Sequence, residues 1–381
     1  MRKWLRAPGV VAGMAALLTV LSLTGCTPAP ATVSSSPSAA TPAVTAPAGG
    51  PVPRGFEAVA VTSFSADEAF VLGSAPCAYQ PNQPCTSMVR TLNGGKTWAG
   101  LPAPNVPLNS PVPFSTAPAA VGIQFAGPSL GFVYGNGLWE TSDGGQQWQD
   151  TAAPSGSIMD LEVSDGQLLA VVDQQCTVDS PCVQSLYRRA LDGGSWHLVT
   201  RLNDVGQVVA AQGRVAAVLD GGSVVVTGNG GLTFAVRGTP CDSMALTAWW
   251  VTVTGPDSLA LLCEGGVTQG DVSDQKMVYV SADLGADWAE ADSLPLSGGP
   301  QEISAGTPAR LVVGAADGAA TWLYYSADGG TRWSTAYEAH NGGERLSALA
   351  FSTATNGVAV IGPGRLLVTG DGGATWQAVS W

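Results

Sequence analysis

A short string recurs seven times along this chain, and a period of that kind calls for one supersecondary unit repeated seven times. The copies are TLNGGKTW at 91–98, TSDGGQQW at 141–148, ALDGGSW at 190–196, TGNGGLTF at 227–234, SADLGADW at 281–288, SADGGTRW at 326–333 and TGDGGATW at 369–376. Their shared form is S/T-x-D/N-x-G-x-x-W. The third copy is one residue short, the fourth ends in Phe, and the fifth carries Leu284 where the others have Gly. The chemistry is that of a tight turn. An oxygen of Asn93, Asp143, Asp192, Asn229, Asp283, Asp328 or Asp371 accepts the turn's own N–H groups and Gly supplies positive φ. Trp98, Trp148, Trp196, Phe234, Trp288, Trp333 and Trp376 then pack back over the turn as the next strand begins.

The aromatic ends are 50, 48, 38, 54, 45 and 43 residues apart, and residues 56–381 allow about 47 per copy, the length of a four-stranded unit. Composition agrees. Short Val/Leu/Ala runs are bounded by Gly, Asp and Pro, with 49 Gly, 26 Pro and only 12% charged residues, and helical periodicity is missing beyond the first segment. The strings closely resemble the Asp-box, or BNR, repeat of sialidases, sortilin-type receptors, xyloglucan-cleaving hydrolases and photosystem II assembly-factor-like propellers. The resemblance implies an all-β, seven-bladed β-propeller with four antiparallel strands per blade and the box between strands three and four. In blade seven the expected strands are Leu346–Phe351, Gly357–Ile361, Arg365–Thr369 and 375–379; in blade one they are 57–61, 69–72, 87–92 and 97–100. Both terminal blades then own all four strands, so the ring closes by packing, without strand exchange. Propeller topology puts the boxes on one face with the turns between first and second strands. Loops between second and third strands, and between blades, form the other face.

Residues 1–25 read as an export signal: Arg2, Lys3 and Arg6 precede an apolar run over about 10–23, too short for a comfortable membrane span. Leu23-Thr24-Gly25-Cys26 resembles the lipobox of bacterial lipoproteins, which implies that Cys26 becomes a lipidated N-terminus on the outer surface of the cytoplasmic membrane. Residues 26–53 are the lipidated cysteine and an Ala/Pro/Ser/Thr tether without periodicity, and 54–381 the propeller. Without the signal, 13 basic residues face 29 acidic ones, a net charge near −16. That balance repels nucleic acid and anionic headgroups, so a nucleic-acid partner is not expected and the membrane is touched through the anchor only.

Six further cysteines fall as Cys77 with Cys85, Cys176 with Cys182, and Cys241 with Cys263. An even count in an exported chain reads as three sequence-local disulfides, because the first two pairs lack zinc spacing and nearby histidines. All three belong to the face opposite the boxes. No metal or cofactor is expected: residues 269–274 lack the calcium-loop pattern. Gly127-Pro128-Ser129-Leu130-Gly131 matches a nucleophile string, but it links two strands. With only His197 and His340 in the chain, it reads as turn punctuation. The sialidase Arg-Ile-Pro entry motif is absent. Arg54 and Arg345, at the starts of adjacent terminal blades, read as surface arginines that could make a partial anion site. Candidate binding or catalytic acids on the disulfide face are Asp173, Asp179, Glu264, Asp271, Asp274 and Asp317, an inverting pair needing two carboxyls about 6.5–9.5 Å apart. Trp249, Trp250 and Trp322 read as core between blades, with a stacking platform as the alternative. The expectation is a monomeric binding or scaffold propeller that contacts an envelope or exported protein through its disulfide-pinned face. The alternative is a glycan-binding or glycoside-hydrolysing propeller.

Overall fold

A computed structural model describes residues 49–78, 80–108, 117–174, 182–203, 209–241, 246–265, 276–291, 297–340, 342, 344–362 and 364–381. Cys26, Cys176, Asp179, Asp271 and Asp274 lie outside the described residues. Blade one comprises β1 (Glu57–Ser63), β2 (Ala69–Cys77), β3 (Gln80–Thr91) and β4 (Ala99–Leu101). Blade two has β5 (Ala119–Phe125), β6 (Gly131–Thr141) and β7 (Gln149–Asp150), and blade three β8 (Ser157–Ser164), β9 (Gln167–Gln174), β10 (Val183–Ala190) and β11 (His197–Arg201). Blade four has β12 (Val209–Gln212), β13 (Val215–Asp220), β14 (Ser223–Thr227) and β15 (Ala235–Gly238), and blade five β16 (Leu246–Gly255), β17 (Ser258–Gly265), β18 (Lys276–Ser281) and β19 (Ala289–Glu290). Blade six has β20 (Gly299–Thr307), β21 (Arg310–Ala316), β22 (Thr321–Ser326) and β23 (Ser334–Ala339), and blade seven β24 (Leu346–Phe351), β25 (Gly357–Ile361), β26 (Arg365–Thr369) and β27 (Gln377–Ala378). Strands pair antiparallel in chain order within each blade. Among the described residues there is no helix.

Blade two shows three strands by pairing, yet four arms by geometry. Residues 131–136 of β6 pair with β5, while Trp139 and Glu140 pair with β7. Were β6 straight, its 11 residues would span roughly 36 Å and part its two ends. Instead Gly144, just past its end, donates its N–H to the carbonyl of Ser129, just before its start, at 2.9 Å. β6 therefore folds back on itself near Gly135 and Gly137, whose φ of 156° and 131° suit glycine. Seven blades of four antiparallel strands result.

Second strands are largely apolar because each blade is covered on both faces; every residue of β13 is buried. Phe70, Leu72 and Met88 pack on Ile123, Phe125 and Val133 of the next blade, and Phe70 stacks on Phe125 at 3.6 Å. Inner strands touch in sequence around the circle, and β1 meets β24. The seam joins Phe56, Val71 and Val89 to Val358, Val360 and Leu366. Ser352 Oγ donates to the Ser65 carbonyl at 2.8 Å, and Asn356 Nδ2 to that of Ala66 at 3.2 Å. Trp381 sits edge-on to Phe56 and Trp98, at 5.1 and 5.3 Å. Among the described residues no strand is exchanged across the seam, although Gly50 pairs with Gly100 on the outer edge of blade one.

Six of the seven boxes share one wiring. In blade seven, Asp371 Oδ1 accepts the Thr369 hydroxyl (2.8 Å) and the Thr375 N–H (3.0 Å), while Gly373 N–H donates to Thr369 Oγ1 (3.0 Å). The same bonds recur at Asn93, Asp143, Asn229, Asp283 and Asp328. Blade three, one residue short and with Ala190 in place of the hydroxyl, closes by Gly193 N–H on the Ala190 carbonyl at 3.1 Å. In every blade a box N–H also donates to the turn between first and second strands, on the carbonyl of Asp67, Ser129, Gly166, Arg214, Asp257, Ala309 or Thr355. That bond places the boxes and those turns on one face. The indoles divide into two groups. Trp98, Trp333 and Trp376 donate to their own box glycine. Trp148, Trp196 and Trp288 reach the preceding blade at Pro102, Ala152 and Gly238. Leu284 occupies its glycine position at φ 57°.

On the opposite face, Cys77–Cys85 closes the β2–β3 hairpin with Cα atoms 5.0 Å apart, and Cys241–Cys263 ties the connection into blade five to β17 at 5.7 Å. Cys182 is disulfide-bonded as well. Residues 127–130 form the turn between β5 and β6, closed by Ala126 N–H on the Leu130 carbonyl at 3.0 Å.

Candidate functional site: the central channel

The inner strands carry a shared irregularity. In six blades the pairing of first and second strands slips by one residue, between Ala58 and Ala60, Ala120 and Gly122, Ile158 and Asp160, Ala248 and Trp250, Pro300 and Glu302, and Leu346 and Ala348. Such bulges re-aim the side chains that follow. Counting from the slip, Ala60, Gly122, Asp160, Trp250, Glu302 and Ala348 occupy equivalent positions. Two residues on come Thr62, Gln124, Glu162, Thr252, Ser304 and Ala350, because alternate residues share a face.

The second set lines a cavity of about 400 Å³ at the ring centre. All seven blades contribute, and Phe64, Ala126, Asp165, Gly213 and Ser352, at the starts of the turns beyond the inner strands, form its rim. Those turns carry the bonds from the boxes, so the cavity lies toward the face that bears the repeated turns. A hydrogen-bond chain crosses three blades along the wall. The Thr62 hydroxyl donates to Gln124 Oε1 at 2.8 Å, and Gln124 Nε2 donates to Glu162 Oε2 at 2.6 Å. Gly122 makes room nearby, since a Cβ there would lie 2.2 Å from the ring of Tyr134.

Electrostatics inside the ring is one-sided. Among the cavity-lining residues Glu162, Asp165 and Glu302 are acidic and none is Lys, Arg or His. Burial pushes the Glu162 carboxyl well above its ordinary range, and the Asp160 charge adds to the effect. Burial likewise pushes Glu302 up to about 8, opposed by a Leu349 N–H and reinforced by Asp160. Tyr134 is raised by burial, then by Asp160 and Glu162, and it hydrogen-bonds Asp160. Asp165 at the rim pairs with Arg214 at 3.0 Å. Carboxyls held in low dielectric without a cation nearby keep their protons longer. Among the described residues no group of His, Cys, Asp and Glu is placed to hold a metal ion.

The acids singled out from the sequence sit elsewhere. Asp173, at the end of β9, accepts Gln184 Nε2 at 2.7 Å and is raised by burial. Asp317 accepts the N–H groups of Ala319 and Ala320 (2.6 and 2.8 Å), which lower its pKa. It shapes the turn after β21. Glu264 lies opposite Lys276 across β17 and β18. These three belong to three different blades, and none of them lines the channel cavity; nor do Arg54 and Arg345. Trp322 is buried in a core cluster, and half-buried Trp250 packs on another. The channel residues Gln124, Asp160, Glu162 and Glu302 were absent from the sequence reading. Their signal was present all the same: polar side chains spaced by two within otherwise apolar inner strands.

Fold and channel together define a seven-bladed β-propeller with an acidic central cavity. No protein-family model matches the chain, and no curated protein matches it. Solved structures do. YCF48 bound to D1 peptide aligns with a TM-score of 0.56 at 16% identity, covering 84% of this chain and 95% of that one. A catalytically inactive virginiamycin B lyase from Staphylococcus aureus gives 0.54 at 9% identity, over 80% and 92%. The Pyrococcus horikoshii acylaminoacyl peptidase gives 0.53 at 9%, over 86% and 53%. Likeness at such identities concerns the fold alone.

Proposed function

We propose that this protein is an extracytoplasmic, lipid-anchored binding propeller that holds a segment of an envelope or exported protein, with the central channel as its recognition site. The observation carrying this reading is the cavity itself. All seven blades converge on it, its wall is polar and hydrogen-bonded across blades, and the stapled ring around it is preorganised, which favours binding by cutting the cost of ordering. Support for the compartment comes from Cys77–Cys85 and Cys241–Cys263, which suit an oxidising environment. A related fold carries a peptide in the YCF48 structure. Lipidation at Cys26 is what the lipobox resemblance implies, and it is tested by acyl labelling of the wild type against Cys26→Ser.

A glycan reading has one observation of its own. A groove of about 380 Å³ runs beside half-buried Trp288, with Asp283, Asp287, Thr254 and Ser258 along it, and an aromatic face among hydrogen-bonding groups suits a sugar ring. Purified protein titrated against a peptide array and an oligosaccharide array separates the two. Peptide binding abolished by Ser304→Trp, which fills the channel, with an unchanged melting temperature, is the expected result. Oligosaccharide binding insensitive to Ser304→Trp would overturn the proposal.

A further inference from the structure

We infer that the channel receives a cationic group on a flexible apolar stem, an ammonium or guanidinium as borne by a Lys or Arg side chain of the bound polypeptide. This rests on the reading of the propeller as a polypeptide-binding module and gives that module its specificity. Three features of the cavity converge on this chemistry.

The first is the direction of the hydrogen-bond chain. Thr62 donates to Gln124 and Gln124 donates to Glu162, so the polar wall of blades one to three ends on an acceptor at the channel. Glu302, from blade six, supplies a second acceptor, and its one protein donor shown is the Leu349 N–H. A ligand group rich in N–H donors completes this arrangement, whereas an anion would face carboxylates.

The second is the lining. Phe64 and Phe351 are half-buried at the cavity, while Val253 and Leu349 are buried in core clusters behind its wall and Val61 packs on a third. Two aromatic side chains beside a polar wall offer apolar surface to a stem of methylenes next to acceptors for its charged tip, and an aromatic ring adds attraction for a cation. A bare metal ion fits less well. The acids come from blades three and six, and among the described residues they form no group placed for metal ligation, while about 400 Å³ far exceeds the roughly 30 Å³ share of one water.

The third is charge balance. Asp160, Glu162, Glu302, Asp165 and Tyr134 are the titratable groups around the cavity, and the nearest cation with a contact shown, Arg214, is engaged with Asp165 at the rim. An incoming cation favours the ionised form of Glu162 and Glu302, so its binding releases protons from them and leaves the charges paired.

The test is calorimetric titration of the purified full-length protein with two probes and a control: a capped Gly-Gly-Lys-Gly-Gly peptide, free cadaverine, and the same peptide with norleucine for lysine. The lysine peptide is expected to bind at least tenfold more tightly than the norleucine peptide. Glu162→Gln and Glu302→Gln should each weaken it by at least tenfold, while Asp317→Asn, on the opposite face, leaves it unchanged. Wild-type affinity should also tighten several-fold from pH 6 to pH 9, a readout that needs no variant to fold. Equal binding of the norleucine peptide, a flat pH profile, or full affinity in the double variant overturns the inference. Cadaverine binding more tightly than the lysine peptide would make the source a free amine. That keeps the cation site and removes the polypeptide reading. Array peptides that bind without any need for Lys, Arg or the two glutamates would do the reverse.

Discussion

Glu302 should make this fold less stable as pH rises, and the effect has a calculable ceiling. Its carboxyl holds its proton up to about pH 8 inside the ring, against an ordinary value of 4.5. The unfolded chain releases that proton near 4.5, so the folded state binds more protons between these limits and stability falls as pH climbs through them. At 1.36 kcal/mol per pH unit the ceiling is about 5 kcal/mol. Glu302 is half-buried, short of full burial, and its carboxyl accepts a backbone N–H, so the expected span is about 2–4 kcal/mol. Glu302→Gln keeps the shape and the acceptor and removes the titration. Guanidinium unfolding at pH 5, 7 and 9, disulfides intact, should show the variant equal to wild type at pH 5. At pH 9 it should be more stable by about 2–4 kcal/mol. A difference that stays constant across this range, or a wild type that gains on the variant as pH rises, refutes the reasoning.

Opposite behaviour is expected of the boxes. Asp143, Asp283, Asp328 and Asp371 all have lowered pKa values through the hydrogen bonds of their turns. Their contribution is present above about pH 4 and lost in stronger acid, and Asp371→Ala should cost about 1–2 kcal/mol at pH 7 by thermal melting. Gly373→Ala forces a Cβ to 2.4 Å from Val312 at φ 96° and should cost more than about 2 kcal/mol. Leu284→Gly, relieving φ 57° while losing some packing, should move stability by less than about 1 kcal/mol. Cys241→Ser with Cys263→Ser opens a 22-residue bridge and should lower unfolding free energy by about 2–4 kcal/mol, measured without reductant. Deleting Trp381, which lies against Phe56 and Trp98, should lower the melting temperature without altering the far-UV spectrum.

Blade count, box wiring and ring closure were legible because each rests on a local pattern that repeats. The box needs an oxygen, a glycine and an indole at fixed offsets, and tertiary context leaves those offsets alone. Blade two was harder to read, since Gly135, Asn136 and Gly137 reverse the chain within a run that pairs as one strand. The channel was hidden for a different reason. Period-two reading tells which residues share a face only while the register is regular. A single extra residue, such as Met159 between Ile158 and Asp160, moves every later side chain to the other side. An unbroken count by twos from the start of the strand therefore does not place Glu162 or Glu302 at the channel, although both line it. Asp173 and Asp317 stand next to loops, where acids are most visible; in this ring Asp317 serves its own turn and Asp173 holds Gln184 across β9 and β10.

The first described residues and the last one lie along the same seam, Gly50 on the flank of blade one and Trp381 near Phe56 and Trp98. A circle whose two ends arrive side by side has no structurally privileged beginning. The chain could be opened at another inter-blade connection and spliced here with a short bridge, leaving the order of blades around the axis untouched. The same proximity suits the domain to insertion as a cassette within a host loop, where it would hang from two adjacent threads with its channel unobstructed.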